Sequence, residues 1–92
     1  MAALSMTIHF HTRFVKMRAK LSAGVQEQCD ARIALFMHEP FNSVLHNHAL
    51  TGKYAGYRSI NITGSYRAHF KIIGENEIVF VRVGTHPQLY GE

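Results

Sequence analysis

The pattern of this chain predicts an α+β domain in which an N-terminal strand and a helical hairpin pack on a small, largely antiparallel four-stranded sheet. Three observations carry that expectation: a short alternating segment near the start, two apolar stripes at helical spacing, and three alternating segments in close succession after Tyr57. Ninety-two residues, 47% of them hydrophobic, suit one domain spanning 1–92 and argue against disorder.

Thr7-Ile8-His9-Phe10-His11 alternates, with Ile8 and Phe10 on one face, and reads as the first strand. From about Thr12 to Leu21 the spacing changes, and Phe14, Met17 and Leu21 form one stripe of a helix whose flank carries Arg13, Lys16 and Lys20. Ser22-Ala23-Gly24 breaks it. Val25, Cys29, Ile33 and Phe36 then mark a second helix that stops before Pro40. A loop is expected from about Pro40 to Ala55.

Tyr57 to Ile62 alternates again, Thr63-Gly64-Ser65 turns the chain, and Tyr66, Ala68, Phe70 and Ile72 share a face opposite Arg67, His69 and Lys71. A three-residue turn sets Ile62 beside Tyr66, and the period of two then places Ser59 and Asn61 on the face of Arg67 and His69. After Gly74-Glu75-Asn76, Val79, Val81 and Val83 are expected in the core, with Phe80, Arg82, Gly84 and His86 on the opposite side. One face should pack on the helices. The other should collect Asn61, Arg67, His69, Arg82 and His86.

Formal charge is +4, from ten Lys plus Arg against six acids. No Asp or Glu occurs between Pro40 and Gly74, a stretch that holds Lys53, Arg58, Arg67 and Lys71, and Arg13, Lys16, Arg18 and Lys20 all precede the first acid, Glu27. Such clustering favours an anionic partner, a nucleic acid or an acidic protein. The single cysteine, Cys29, excludes an internal disulfide and lies on the apolar spacing of the second helix. Met1 to Met6 is short and uncharged, without a signal-peptide pattern, so a cytoplasmic protein with no membrane contact is expected. His9 with His11, and His46 with His48, are spaced i, i+2, but imidazoles without further ligands make a weak metal motif, and no metal is expected.

Several blocks carry a resemblance: His48-Ala49-Leu50-Thr51-Gly52 before Gly56-Tyr57-Arg58, then Tyr66-Arg67 after the turn, then Arg82-Val83-Gly84-Thr85-His86 and Leu89-Tyr90. With the order strand, helix, helix and three antiparallel strands, the chain from about Thr7 to Tyr90 resembles the RelE/ParE superfamily of bacterial toxins, and within it the YafQ-like endoribonucleases. The resemblance implies the compact RelE-like fold and a monomeric type II toxin held in complex with a cognate antitoxin. It implies a ribosome-dependent enzyme that cuts mRNA in the A site of the 70S ribosome. His48 and His86 match histidines that are catalytic in YafQ-like members, Arg67 matches a transition-state arginine of RelE, and Tyr90 matches an aromatic residue that holds a base or orients the scissile phosphate. Asn61 stands where YafQ-like proteins carry another catalytic histidine, and Ser59 and Ser65 where they carry aspartates.

Metal-independent RNA cleavage needs a base for the ribose 2′-hydroxyl, an acid for the departing 5′ oxygen and fixed positive charge for the phosphorane-like transition state. Two histidines and an arginine supply these, since one imidazole is neutral while its partner is protonated near pH 6.5. The scarcity of carboxylates argues against a Mg²⁺ site, and no cofactor is expected. Arg13, Lys16, Lys20, Lys53, Lys71 and Arg82 are the candidate RNA phosphate contacts. The antitoxin is expected to be acidic and to fold on this basic surface. The alternatives are a ParE-like inhibitor of DNA gyrase without nuclease chemistry, and a weakened toxin acting mainly through its antitoxin.

Overall fold

The computed structural model describes residues 6–91, so Met1 to Ser5 of the N-terminal segment lie outside the described residues. Strand β1 (Thr7–Phe10) leads into helix α1 (Thr12–Ala19), then α2 (Ala23–His38). His11 caps α1 through its side chain, which accepts from the Arg13 amide, and Ser22 caps α2 by accepting from the Val25 amide. The long loop is more structured than expected. It holds two short 3-10 turns and a two-residue strand, β2 (His48–Ala49). Strands β3 (Arg58–Asn61), β4 (Tyr66–Gly74) and β5 (Glu77–Thr85) follow, and the chain closes with a short helix, α3 (His86–Tyr90).

Among the described residues the sheet therefore has five strands rather than four, in the order β1-β5-β4-β3-β2, with β1 parallel to β5 and every other pair antiparallel. The fifth strand is β2, whose two residues are too few to show a period. It covers the edge of β3 by pairing His48 with Ser59 and Ala49 with Arg58. The turn after β3 has the expected length: the Ile62 amide donates to the Tyr66 carbonyl, and Asn61 pairs with Arg67.

The core lies between the sheet and the helical hairpin, and it is aromatic. The Phe80 ring centroid lies 5.4–5.7 Å from those of Phe14, Phe36 and Phe70, and Phe36 lies 4.9 Å from Phe70, around buried Cys29, Ile33, Leu45, Ile60, Ile62 and Val83. Burial pushes the Cys29 thiol up to about 11, so at neutral pH this cysteine is an inert packing group.

Here β5 departs from its expected alternation. His69 pairs with Arg82 but Phe70 pairs with Phe80, so Val81 is an extra residue, a β-bulge that reverses the parity of everything before it. Val83 stays in the core and Arg82 on the opposite face, whereas Phe80, expected outside, is 0% exposed and Val79 and Val81 are only half-buried. Ile72, expected in the core, keeps the face of Phe70 and pairs with buried Ile78 but lies at the core's margin, 61% exposed. The bulge is driven by size, because a phenylalanine between Phe14, Phe36 and Phe70 fills more core volume than a valine. Phe80→Ala is accordingly expected to cost about 3–5 kcal/mol and Val81→Ala much less, measured by urea unfolding. Equal losses would mean that Phe80 is not the core member of the pair.

Candidate functional site

The open face of the sheet is organised in rows. His48 on β2, Ser59 on β3, His69 on β4 and Arg82 on β5 are successive cross-strand partners, and the adjoining row is Asn61, Arg67 and Gly84. Directly opposed residues share a face, so four separate strands deliver these groups to one surface. The expected grouping of Asn61, Arg67, His69 and Arg82 is thus present. β2 adds His48.

His86 and Tyr90 are set by α3, which was expected only as a strand end. Its start is a capping box: Thr85 Oγ1 accepts from the Gln88 amide, Gln88 Oε1 accepts from the Thr85 amide at 2.8 Å, and Pro87 supplies a helical φ in the first turn. A Cβ on Gly84 would lie 2.7 Å from Gln88 Oε1 and 3.2 Å from Gln88 Cβ, so a larger residue there would push the capping side chain aside. Buried Leu89 anchors the helix. One turn apart, His86 and Tyr90 pack with ring centroids 4.4 Å apart, and the Tyr90 hydroxyl lies 3.1 Å from Nε2 of His69.

Arg67 is half-buried and its Nη1 donates to the carbonyls of Thr63 and Tyr66 at 2.8 and 3.0 Å, which ties the guanidinium to the β3–β4 turn. A cleft of about 500 Å³ opens beside it, lined by Gly64, Ser65, Arg67, Thr85, His86 and Pro87. Arg67 and His86 therefore share one cavity. Across the sheet, His48 places Nδ1 2.8 Å from the His46 carbonyl. A carbonyl only accepts, so Nδ1 carries the proton and Nε2 of the neutral ring keeps its lone pair for a base role.

Between these groups runs an aromatic strip. Tyr54 meets Tyr90 edge-on at 5.1 Å and donates its hydroxyl to the Leu89 carbonyl at 3.0 Å, while the Arg82 guanidinium lies 4.6 Å from the Tyr54 ring and 5.0 Å from Tyr57. Lys53 sits over Tyr54 and Lys71 over Tyr57, at 5.3 and 5.6 Å. On α1, Arg13 joins His11, Tyr57, Val81 and Arg82 around a smaller cleft of about 220 Å³, and Lys20 lines another with Val83 and Gln88. Lys16 is exposed on α1 and lines neither cleft. His9, at 2.6 Å, bonds Glu77.

His69 is the residue whose role the sequence left unassigned. Its position on the open face followed from strand parity, but its complete burial did not, because Tyr90 covers it only once α3 exists. Burial, then the positive fields of Arg82, His48 and His86, lower its pKa to about 4. Both His48 and His86 are thus near enough to act on one imidazole. Tyr90 is shifted up, first by burial and then by Tyr54, and remains a hydroxyl at neutral pH.

A histidine kept neutral in the fold but free to protonate once unfolded makes the unfolded state the stronger proton binder between pH 4 and 6.5. Stability should therefore fall as pH drops from 6.5 towards 4, with a limiting slope of about 1.4 kcal/mol per pH unit from this group. His69→Leu should flatten that part of the profile in chemical denaturation. An unchanged slope would remove His69 as its cause.

No family model and no curated protein matches the chain. Solved structures do. YafQ from E. coli BL21(DE3) superposes with a TM-score of 0.76 at 22% identity, covering 94% of this chain and 99% of that one. The YoeB/ParE toxin from Agrobacterium tumefaciens gives 0.73 at 20% identity, covering 88% and 99%. A chain of the toxin–antitoxin complex RelBE2 from Mycobacterium tuberculosis gives 0.67 at 25% identity, covering 90% and 100%. The fold is that of RelE/ParE-like toxins, as the sequence motifs implied.

Proposed function

We propose that this chain is the toxin of a type II toxin–antitoxin pair and acts as a ribosome-dependent endoribonuclease on mRNA. The single observation that carries the reading is the cleft shared by Arg67 and His86, with Tyr90 packed on the His86 ring. A phosphodiester in that cleft would meet a fixed cation and a titratable imidazole together, on a surface fed by Lys53, Lys71, Arg82 and Arg13.

In the reaction, His48 Nε2 takes the proton of the ribose 2′-hydroxyl, the 2′ oxygen attacks phosphorus, and the bond to the 5′ oxygen breaks. His86, protonated, gives its proton to that leaving oxygen, and the products are a 2′,3′-cyclic phosphate and a 5′-hydroxyl. Arg67 is tied to two turn carbonyls before substrate arrives, so its charge opposes the build-up on the phosphoryl oxygens with little reorganisation. Asn61 lies next to Arg67 with its Oδ1 buried and unpaired among the described residues. It exchanges no proton near neutral pH, which leaves the acid–base work to the two histidines.

The partner that suits this surface is an acidic segment that orders on binding, neutralises the basic face and covers the exposed apolar side chains Val15, Met37 and Phe41 of the hairpin and its following loop. The protein is expected to be monomeric in that complex and to work in the cytoplasm. RelBE2 is itself a toxin–antitoxin complex.

Incubation of the purified protein with mRNA programmed on 70S ribosomes, followed by primer extension, tests the enzyme. Cuts inside the coding sequence that need ribosomes are the expected result. Inhibition of gyrase supercoiling without RNA cleavage would replace this reading with that of a ParE-like inhibitor.

A further inference from the structure

His69 is 0% exposed, yet none of the steps above uses it. Its Nε2 bonds the Tyr90 hydroxyl at 3.1 Å, and its Nδ1 is buried with no hydrogen-bond partner among the described residues. A neutral imidazole carries one proton, so two arrangements are open. If Nδ1 held the proton, Tyr90 would donate to Nε2 and a buried N–H would be orphaned. If Nε2 holds it, the tyrosine oxygen accepts and only a lone pair is left unpaired, the milder of the two defects. The second arrangement leaves the Tyr90 hydroxyl proton uncommitted to His69.

We propose that His69 is a buried positioning residue which, by donating from Nε2 to the Tyr90 oxygen, fixes the Tyr90 ring beneath His86 and turns the Tyr90 hydroxyl proton outward to donate to an RNA phosphate. Three contacts support the placement. Tyr90 packs on His86 at 4.4 Å, on His69 at 5.4 Å and edge-on to Tyr54, so its ring has support on several sides and its hydroxyl is the atom left to orient. The fields of Arg67 and Arg82 both reach the Tyr90 hydroxyl, which puts it where an anion would be attracted. The hydroxyl is protonated near neutral pH as any phenol is, and burial shifts its ionisation further up, as a donor requires.

This inference rests on the nuclease reading for its kinetic part only. Single-turnover cleavage on programmed ribosomes should fall on the order of 10²-fold in both His69→Leu and Tyr90→Phe, with the double variant no worse than either single one within about twofold. His69→Gln, whose side-chain amide can donate from the Nε2 position, should keep most of the rate. Long-range ¹H–¹⁵N spectra of the histidine rings in the wild-type protein alone should show His69 as the Nε2–H tautomer, shifted by Tyr90→Phe. An Nδ1–H tautomer, or losses that multiply in the double variant, would overturn the proposal. If the wild type releases no RNA product, the nuclease reading fails instead, and the ring spectra still decide the His69–Tyr90 bond.

Discussion

His86→Ala is expected to lower ribosome-dependent cleavage by roughly 10² to 10⁴ while leaving the protein folded, because it removes the proton donor for the leaving oxygen from an exposed position. The side chain is exposed at the first residue of α3, and the capping box that starts this helix is made by Thr85 and Gln88. Its ring contact with Tyr90 is worth about 0.5–1.5 kcal/mol. A thermal melt should therefore stay close to wild type as single-turnover cleavage collapses. Wild-type cleavage by a folded His86→Ala protein would take this residue out of the mechanism.

Arg67→Ala should cost cleavage roughly 10²-fold or more, and unlike the histidine change it should also cost stability. The guanidinium donates to the Thr63 and Tyr66 carbonyls, so its removal deprives the β3–β4 turn of two bonds from a charged donor, worth about 1.5–3 kcal/mol each at most. The catalytic part is separable because it should appear in kcat, measured on folded protein well below the melting temperature, more than in KM. Arg67→Lys keeps the charge but loses the planar fork and should recover only part of the rate. Full activity in Arg67→Ala would mean that the arginine serves the turn alone.

Which parts of this site were legible in advance depended on how far each determinant reaches along the chain. Strand parity is local, so Asn61, Arg67 and His69 fell on one face as soon as the three-residue turn was recognised. His48 was named through its motif, yet nothing in two strand residues revealed that β2 would join the sheet and set it opposite Ser59. The α3 helix did leave a trace in the sequence, the Thr85-Pro87-Gln88 capping pattern, but five residues carry too little periodicity to be separated from a strand end. Without that helix, the covering of His69 by Tyr90 could not be foreseen.

By itself, then, the sequence determined the order of elements, the helical hairpin, the basic open face and the residues drawn to it, because periodicity, turn residues and charge act between near neighbours. The parity of β5, the fifth strand and the buried His69–Tyr90 pair were decided only in three dimensions. Val81 bulges because Phe80 fills the space among three other phenylalanines, and His69 is sealed and kept neutral because a helix from the chain's end folds over it. Both outcomes are set by packing between residues far apart in sequence, where filling volume and excluding water outweigh the local alternation of a strand.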